Sequence, residues 1–260
     1  MQLTDRVALV TGAGSGIGQA SALLLAREGA AIAALDRDEA DLAEAVARIE
    51  AEGGRAIALG ADVSRAEEVE RSVGRVDQEF GRLDIVVANA GVNGVWAPIE
   101  DLDPGEWSQT LAINLTGTFF TLKYAVPMLK RGGGSAIIMA SVNGTRIFSN
   151  AGATAYSCSK AGQVALAKMA ALELSPHRVR VNVICPGAIE SKIHEGTQRR
   201  RIEEIAIPAE YPEGEMPLTG GKMGHPDQVA RLVLFLASDA SDPITGTEIW
   251  IDGAESLLRG

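Results

Sequence analysis

The sequence has few cysteines and histidines, the residues that form disulfides and most often bind metal ions. It contains two cysteines, Cys158 and Cys185, and three histidines in 260 residues. Two cysteines exclude a disulfide framework, and we expect both thiols to be reduced and buried. The histidines His177, His194 and His225 are scattered and show no ligand spacing. The sequence therefore predicts no metal site.

Long apolar runs and an excess of basic charge are missing as well. No apolar stretch reaches the length of a membrane span, and residues 1–6 lack the pattern of a signal peptide. Acidic residues outnumber basic ones by 34 to 24, which gives a net charge of −10. This charge argues against a nucleic acid or an anionic membrane as partner. We therefore expect a cytoplasmic protein that binds neither.

What the sequence does have is a regular alternation of strands and helices. Apolar strands are predicted at residues 7–10, 30–35, 56–61, 84–88, 136–140, 179–184 and 248–251, and helices at 19–28, 39–52, 66–80, 104–130, 154–174 and 228–237. Such alternation is typical of an α/β fold with a doubly wound parallel sheet. We predict a three-layer Rossmann fold of about seven strands in a single domain, residues 1–260. Residues 1–90 would form mainly the cofactor-binding half.

A glycine-rich turn joins the first strand to the first helix. The segment TGAGSGIG, residues 11–18, lacks the strict GxGxxG spacing but has glycine at four alternating positions. Glycines allow the backbone to approach a pyrophosphate, and a helix N terminus supplies unpaired N–H groups. A merely flexible loop is the alternative. The position between strand and helix favours a dinucleotide site.

An acidic residue ends the second strand. Asp36 lies 18 positions after Gly18, near the spacing at which a carboxylate binds the adenosine ribose. This favours NAD, because the 2′-phosphate of NADP would meet a like charge. Arg37 follows directly and could contact that phosphate. We expect Asp36 to decide the preference.

Three residues of the second half indicate acid–base chemistry. Tyr156 and Lys160 are four residues apart in a predicted helix, so their side chains share one face. The ammonium is expected to lower the phenol pKa from about 10. Ser141 ends a buried strand, at the sheet edge where α/β proteins bind ligands. A Tyr-x-x-x-Lys spacing also arises by chance, so the pair alone does not establish catalysis.

Taken in order, the motifs resemble the short-chain dehydrogenase/reductase family over essentially the whole chain. The resemblance is carried by TGAGSGIG, Asp62–Val63, NAG at 89–91, Asn114, Ser141, YSCSK at 156–160 and Pro186–Gly187. It implies hydride transfer between NAD(H) and a secondary alcohol or ketone. The implied catalytic residues are Asn114, Ser141, Tyr156 and Lys160. The implied cofactor-binding residues are Gly12, Gly14, Ser15, Gly16, Ile17, Gly18, Asp36, Arg37, Asp62, Val63, Asn89, Ala90, Gly91, Tyr156, Lys160, Pro186, Gly187, Ile189 and Ser191.

The resemblance also implies a role for each catalytic residue. Tyr156 would exchange the proton, and Ser141 would bind the substrate oxygen. Lys160 would lower the phenol pKa and bind the nicotinamide ribose, and Asn114 would hold a water that links Lys160 to solvent. Serine replaces the usual threonine at Ser191 but keeps the hydroxyl. Members of the family commonly pair the helix after Tyr156 between subunits, so a homotetramer is expected.

The substrate-binding region leaves several alternatives open. Residues 190–223 lose periodicity and are predicted to form a substrate lid. Within them, Arg199, Arg200 and Arg201 could bind an anionic substrate or pair with nearby acids on a solvated helix face. Arg146 is the better anion-binding candidate. The residues Val92, Asn93, Trp96, Asn143, Ile147 and Phe148 suggest a partly apolar pocket, compatible with sugars, hydroxy acids or cyclic alcohols.

Two other functions compete with the dehydrogenase hypothesis. The chain could be a non-catalytic NAD-binding sensor or scaffold, but the intact catalytic set argues against this. It could also resemble a sugar-nucleotide epimerase or dehydratase, which needs a larger substrate domain than we expect here.

Overall fold

The structure is a computed structural model that describes residues 1–208 and 216–259. Its strands are β1 (Val7–Thr11), β2 (Ala31–Asp36), β3 (Ala56–Gly60), β4 (Ile85–Ala88), β5 (Val95–Trp96), β6 (Gly134–Met139), β7 (Val179–Pro186), β8 (Gln198–Arg199) and β9 (Glu248–Ile251). Its α-helices are α1 (Gly16–Arg27), α2 (Glu39–Ala51), α3 (Ala66–Phe80), α4 (Pro104–Leu111), α5 (Gly117–Gly132), α6 (Thr154–Leu174), α7 (Pro226–Ala237) and α8 (Glu255–Arg259).

Seven of the strands form one parallel sheet. Their order is β3-β2-β1-β4-β6-β7-β9, and every pair in it is parallel. The strands read as continuous apolar runs because helices cover both faces, and all residues of β1 and β4 are buried. The predicted α/β fold with a doubly wound sheet of about seven strands is confirmed.

Two hydrophobic clusters hold the helices against the sheet. On one face α3, α5 and α6 contribute Val73, Leu122 and Val164. On the other face α1 and α7 contribute Leu25 and Val233. Burial of apolar surface on both faces produces the three layers.

The sheet order determines where the cleft lies. The chain winds outward from β1 to β3, then returns to place β4 on the other side of β1. The loops that follow β1 and β4 therefore leave in opposite directions and open a crevice at the carboxyl edge. This crevice is where the candidate residues converge.

The helix predicted at residues 104–130 is not one regular helix. The segment between α4 and α5, Ala112–Thr116, is a π-helical turn. Such turns are rare in proteins overall, and those that occur are often found at functional sites. The turn contains the fully buried Asn114.

The predicted lid has little regular structure where it is described. Residues Lys192–His194 and Ile202–Glu204 form short 3₁₀ helices. The strand β8 pairs in parallel with β5, which links this segment to the loop after β4. Residues 209–215, which include Pro212, lie outside the described residues. The small β5–β8 sheet was not predicted.

The two cysteines are both free, but they differ in exposure. Cys185 is buried in β7, whereas Cys158 is exposed on α6. The expectation of two buried thiols was therefore wrong for Cys158. The reason is that Cys158 lies on the face of α6 that points away from the sheet.

Candidate active site

A first cavity of about 380 Å³ lies over the glycine-rich turn at the carboxyl edge of the sheet. Its wall includes the predicted cofactor residues Gly12, Ser15, Gly16, Ile17, Asp36, Arg37, Asp62, Val63, Asn89, Ala90, Gly91 and Ser191. Residues at or after the ends of five strands, β1, β2, β3, β4 and β7, thus meet in one cavity.

The N terminus of α1 opens into this cavity. Ser15 is the N-cap residue, but among the described residues no side chain caps the helix and its first turn has no acid. Its first N–H groups are therefore suited to bind an anion, helped by the helix dipole.

Glycine is required at the back of the turn. A Cβ atom added to Gly18 would lie 1.9 Å from the Gly12 carbonyl oxygen. The helix can therefore pack against the turn only because position 18 has no side chain. An uncapped helix terminus behind such a turn fits the pyrophosphate of a dinucleotide.

Asn89 supports the same turn from the end of β4. Its Nδ2 donates to the Thr11 carbonyl oxygen at 3.0 Å, and its backbone N–H donates to Thr11 Oγ1 at 3.0 Å. The Ala90 N–H donates to the same hydroxyl at 3.1 Å. These bonds fix the ends of β1 and β4 relative to each other.

The acids at the far end of the cavity are held in defined positions. The Asp36 carboxylate accepts hydrogen bonds from the N–H groups of Gly14 and Asp38, at 2.9 and 3.1 Å. Burial raises the pKa of Asp62, but hydrogen bonds from Ser64 outweigh it, so the pKa lies below its usual value. Both side chains are therefore fixed acceptors. Arg37 beside them is exposed.

The candidate catalytic residues line a second cavity of about 180 Å³. Ser141, Tyr156 and Lys160 all face it, together with Pro186 and Gly187. The two cavities are continuous, because Ile17, Asn89, Gly91, Asn93, Ser191 and Ile193 line both. One cleft therefore runs from Asp36 to Tyr156.

Lys160 lies deep in the protein behind Tyr156. Its Nζ donates to the Met139 carbonyl oxygen at 2.8 Å and lies 5.5 Å from the centre of the Tyr156 ring. Burial lowers the pKa of Lys160 to about 8. Transfer into a low-dielectric site disfavours the charged form of an amine.

The pKa of Tyr156 shifts in the direction opposite to our expectation. Burial raises it, and a hydrogen bond with Ser141 lowers it by less. The spacing of Tyr156 and Lys160 predicts attraction between a phenolate and an ammonium, but it does not show how strongly the fold buries the phenol. In the protein alone, desolvation outweighs the hydrogen bond with Ser141.

Asn114 is fixed at the junction of three segments. Its Oδ1 accepts from the Val92 N–H at 2.8 Å, and its Nδ2 donates to Ser159 Oγ at 3.0 Å. Its backbone carbonyl accepts from Thr118 Oγ1 at 2.7 Å and Gln163 Nε2 at 2.8 Å. Two side chains thus already use this carbonyl.

The segment after β7 closes the cleft from above. The Gly187 N–H donates to the Ile251 carbonyl oxygen at 3.1 Å, which ties the turn to β9. Ser191 lies against the glycine turn, since a Cβ atom added to Gly16 would be 3.2 Å from its Cβ. Lys192 forms an ion pair of 2.7 Å with Asp41 of α2. Both residues line the first cavity.

The candidate anion-binding arginines are occupied within the protein. The Arg146 guanidinium stacks on the Trp250 ring at 3.6 Å and lies outside both cavities. Arg200 pairs with Glu106, and Arg201 pairs with Asp101 and Glu204. The Arg201–Glu204 pair agrees with the alternative in which these arginines pair with nearby acids of their own segment. The other two acids come from the chain before and within α4, which that alternative did not include.

Several residues of the site were missed from the sequence. Thr11 positions the cofactor-binding Asn89, and Met139, Ser159, Gln163 and Glu255 either position a catalytic residue or line the second cavity. Thr11 could have been found, because it ends a strand at the carboxyl edge. Glu255 follows the last strand without any motif, and only the pairing of β9 with β7 brings it to the site.

Metal-binding clusters and membrane-spanning helices are both absent from the part of the chain that the structure describes. Within residues 1–208 and 216–259, no cluster of His, Cys, Asp and Glu could bind a metal ion. In the same part of the chain, no helix has the length and apolar character to cross a membrane.

Comparison with known proteins agrees with this geometry. The family described as Enoyl-(Acyl carrier protein) reductase matches residues 12–254. The 3-oxoacyl-[acyl-carrier-protein] reductase FabG of Thermotoga maritima is 37% identical over 97% of this chain and 98% of its own. The crystal structure of a 3-ketoacyl-ACP reductase from Sinorhizobium meliloti 1021 superposes with a TM-score of 0.95 at 52% identity, over 97% of this chain and 100% of that one. Carveol dehydrogenase from Mycobacterium avium, in complex with NAD, superposes with a TM-score of 0.87 at 30% identity, over 99% of both chains.

Proposed function

This chain belongs to the short-chain dehydrogenase/reductase family, and on that premise we propose that it transfers a hydride between NAD(H) and a secondary alcohol or ketone. The relatives themselves show that the chain is an oxidoreductase of this family. The observation that carries the proposal is the placement of Ser141, Tyr156 and Lys160 around one cavity that continues into the dinucleotide cleft.

The proposed reaction assigns one task to each of these residues. Bound in the cleft, the nicotinamide supplies the hydride chemistry: an alcohol and NAD⁺ give a ketone, NADH and one proton, the C–H electron pair leaving as hydride. Tyr156 Oη takes the hydroxyl proton in oxidation and returns it in reduction. Ser141 donates a hydrogen bond to the substrate oxygen, which the Ser141–Tyr156 contact places next to the phenol.

Lys160 acts on the phenol through its charge. With a pKa of about 8, most of the amine is protonated at neutral pH. The charge lies in a desolvated site, where its attraction for a phenolate is stronger than in water. The Met139 carbonyl keeps it in place. This arrangement supports ionisation of Tyr156 when a proton must leave the substrate.

We propose NAD rather than NADP as the cofactor. Gly12, Gly16, Ile17 and Gly18 would hold the pyrophosphate, Asp36 the adenosine ribose, and Ser191 with the Pro186–Gly187 turn the nicotinamide end. The Asp36 carboxylate supports this choice because it accepts hydrogen bonds and carries negative charge where NADP has a phosphate. The relatives leave the choice of cofactor open.

We also propose a homotetramer in which α6 pairs with a second subunit. Cys158, Ala161, Ala165, Met169 and Leu172 form an exposed, largely apolar stripe on the outer face of this helix. Ala167 and Ala171 instead pack on the sheet.

A cytoplasmic location, expected from the sequence, stays a prediction.

The test is a screen of NAD reduction over secondary alcohols with the wild-type protein and Tyr156→Phe. The variant keeps the ring and loses only the proton-transfer group, so turnover should fall by about 10²–10⁴-fold. NADH binding, followed by fluorescence, should survive. More than half of the wild-type turnover in the variant would refute the assignment. NADH binding without turnover of any alcohol would favour the sensor alternative.

A further inference from the structure

The second cavity has a polar wall that no step of the proposed reaction uses. The wall is formed by Asn143, Asn150 and Glu255, which line the cavity together with Tyr156 and Ser141. Asn143 and Glu255 are 9% and 6% exposed. Polar groups buried to this degree are costly unless they have a partner, so what they bind bears on the substrate.

A chain of hydrogen bonds fixes the orientation of these side chains. Asn150 Nδ2 donates to Asn143 Oδ1 at 2.6 Å, and Asn150 Oδ1 accepts from Arg259 Nη2 at 3.2 Å. The arginine cannot accept a hydrogen bond, so the amide of Asn150 has only this orientation. Asn143 must then present its oxygen to Asn150. Its Nδ2 donates to no group of the described residues and remains available to the cavity.

Glu255 completes the wall from the other side. Its Oε1 pairs with Arg259 Nη1 at 3.2 Å, and both side chains are largely buried. Its other carboxylate oxygen lies against Gly187, where an added Cβ would be only 2.8 Å away. The carboxylate therefore lies beside the turn that follows β7. It supplies hydrogen-bond acceptors only.

A donor and an acceptor on one wall match a hydroxyl group, which both accepts and donates. A carboxylate on the substrate would face the oxygens of Glu255, and neither of these groups donates a hydrogen bond. An ammonium group would gain little, because Arg259 already neutralises that charge. A hydrocarbon chain would leave the Asn143 amide without a partner. A neutral hydroxyl satisfies the wall without breaking the ion pair.

The size of the cavity limits the substrate further. A cavity of about 150 Å³ holds one benzene ring, and this one has about 180 Å³. Ile17, Ile189 and Ser191 also line it, so part of that space belongs to the nicotinamide end. The remainder suits a single ring or a short carbon chain.

We propose that the substrate is a small neutral polyol, or the matching hydroxyketone, whose second hydroxyl group is bound by Asn143 and Glu255. This inference rests on the proposed function and names the substrate class of the same site. The reacting hydroxyl lies at Ser141 and Tyr156, and the adjacent one meets the polar wall.

The test compares each diol with the alcohol that lacks its second hydroxyl. Vicinal cyclohexanediol is paired with cyclohexanol, and butane-2,3-diol with sec-butanol. The measured quantity is the ratio of kcat/KM within each pair, since general damage to the enzyme lowers both members alike. A hydrogen bond to a charged, buried partner predicts a wild-type ratio of at least about tenfold in favour of the diol.

Glu255→Leu and Asn143→Val should each lower this ratio by about tenfold, and Glu255→Gln by less, because its amide oxygen still accepts. Glu248→Gln is the matched control, since Glu248 also forms an ion pair, with Lys168, but lies outside the cavity. It should leave the ratio unchanged. NADH titration reports whether each variant is folded, and Glu255→Gln keeps the test available if Glu255→Leu does not fold.

The possible results separate the two proposals. A wild-type ratio near one, or an equal loss for both members of a pair in the Glu255 variants, would overturn the polyol inference and leave the dehydrogenase proposal standing. No oxidation of any alcohol, with or without a second hydroxyl, would overturn the dehydrogenase proposal itself.

Discussion

Replacing Asp36 by alanine should weaken the preference for NAD over NADP. The carboxylate is fixed by the Gly14 and Asp38 N–H groups, so it cannot turn away from a ligand in the first cavity. The 2′-phosphate of NADP would bring like charge to about 4 Å. At an effective dielectric of 20, each pair of unit charges at that distance costs about 4 kcal/mol.

Screening reduces this cost, because the cavity is open and Arg37 next to Asp36 is exposed. We therefore expect a wild-type preference for NAD of at least about tenfold in kcat/KM, equal to about 1.4 kcal/mol. Asp36→Ala should narrow this preference. Asp36→Asn should have a smaller effect on NAD, since its side chain still accepts hydrogen bonds.

The assay measures kcat/KM for both cofactors with one alcohol, and the dissociation constants by fluorescence. Asp38→Asn is the matched control, because it removes a charge two residues away and keeps the cap that Asp38 provides to α2. It should change the ratio by less than about threefold. If Arg37 assists NADP in Asp36→Ala, then adding Arg37→Ala should weaken NADP again. Equal efficiency of both cofactors in the wild-type protein would refute the reasoning.

Four further predictions follow from the same structure. Gly18→Ala should destabilise the protein by about 1–3 kcal/mol and abolish tight NADH binding, because the new methyl group overlaps the Gly12 carbonyl. Gly74→Ala is the control: no described atom lies within 4 Å of its new Cβ, so this variant should not lower the melting temperature. A raised pKa of Tyr156 places its ionisation on the alkaline side, so kcat/KM for alcohol oxidation should rise with pH, and a maximum below pH 7 would contradict this. Burial lowers the pKa of Lys160 from 10.5 to about 8, so between pH 8 and pH 10.5 the folded protein binds fewer protons than the unfolded protein. The free energy of unfolding of the wild type, measured relative to that of Lys160→Met, should therefore rise with pH in this range. A fall of this difference with pH in denaturant titrations would contradict the prediction. Light scattering at micromolar concentration should give a tetramer, and a monomer mass would exclude pairing through α6.

The sheet could be predicted because its strands carry their own signal. Each is a short apolar run bounded by turn residues, and burial on both faces makes the run continuous. The residues that directly follow such runs are at the carboxyl edge. This is why Asp36, Asn89 and Ser141 could be placed near the cleft before the structure was known.

Other parts of the site depend on contacts that leave no local pattern. The π-helical turn at Asn114 shifts a few hydrogen bonds by one residue, which changes neither composition nor periodicity. The direction of the Tyr156 pKa depends on how many neighbours bury the phenol, and the spacing to Lys160 contains no such information. The side chain of Glu255 reaches the cavity only through the pairing of β9 with β7.

The polar wall described above comes from segments that contribute nothing to the sheet itself. Asn143 and Asn150 follow β6, and Glu255 follows β9, whereas the dinucleotide cleft is built mainly from the ends of β1, β2, β3 and β4. Recombination between relatives could therefore exchange the substrate-facing loops while the inherited cofactor half stays intact. In evolutionary terms, this fold lets new substrates be acquired by changing the periphery of one half, and it explains how a single hydride-transfer centre can serve enzymes with different substrates.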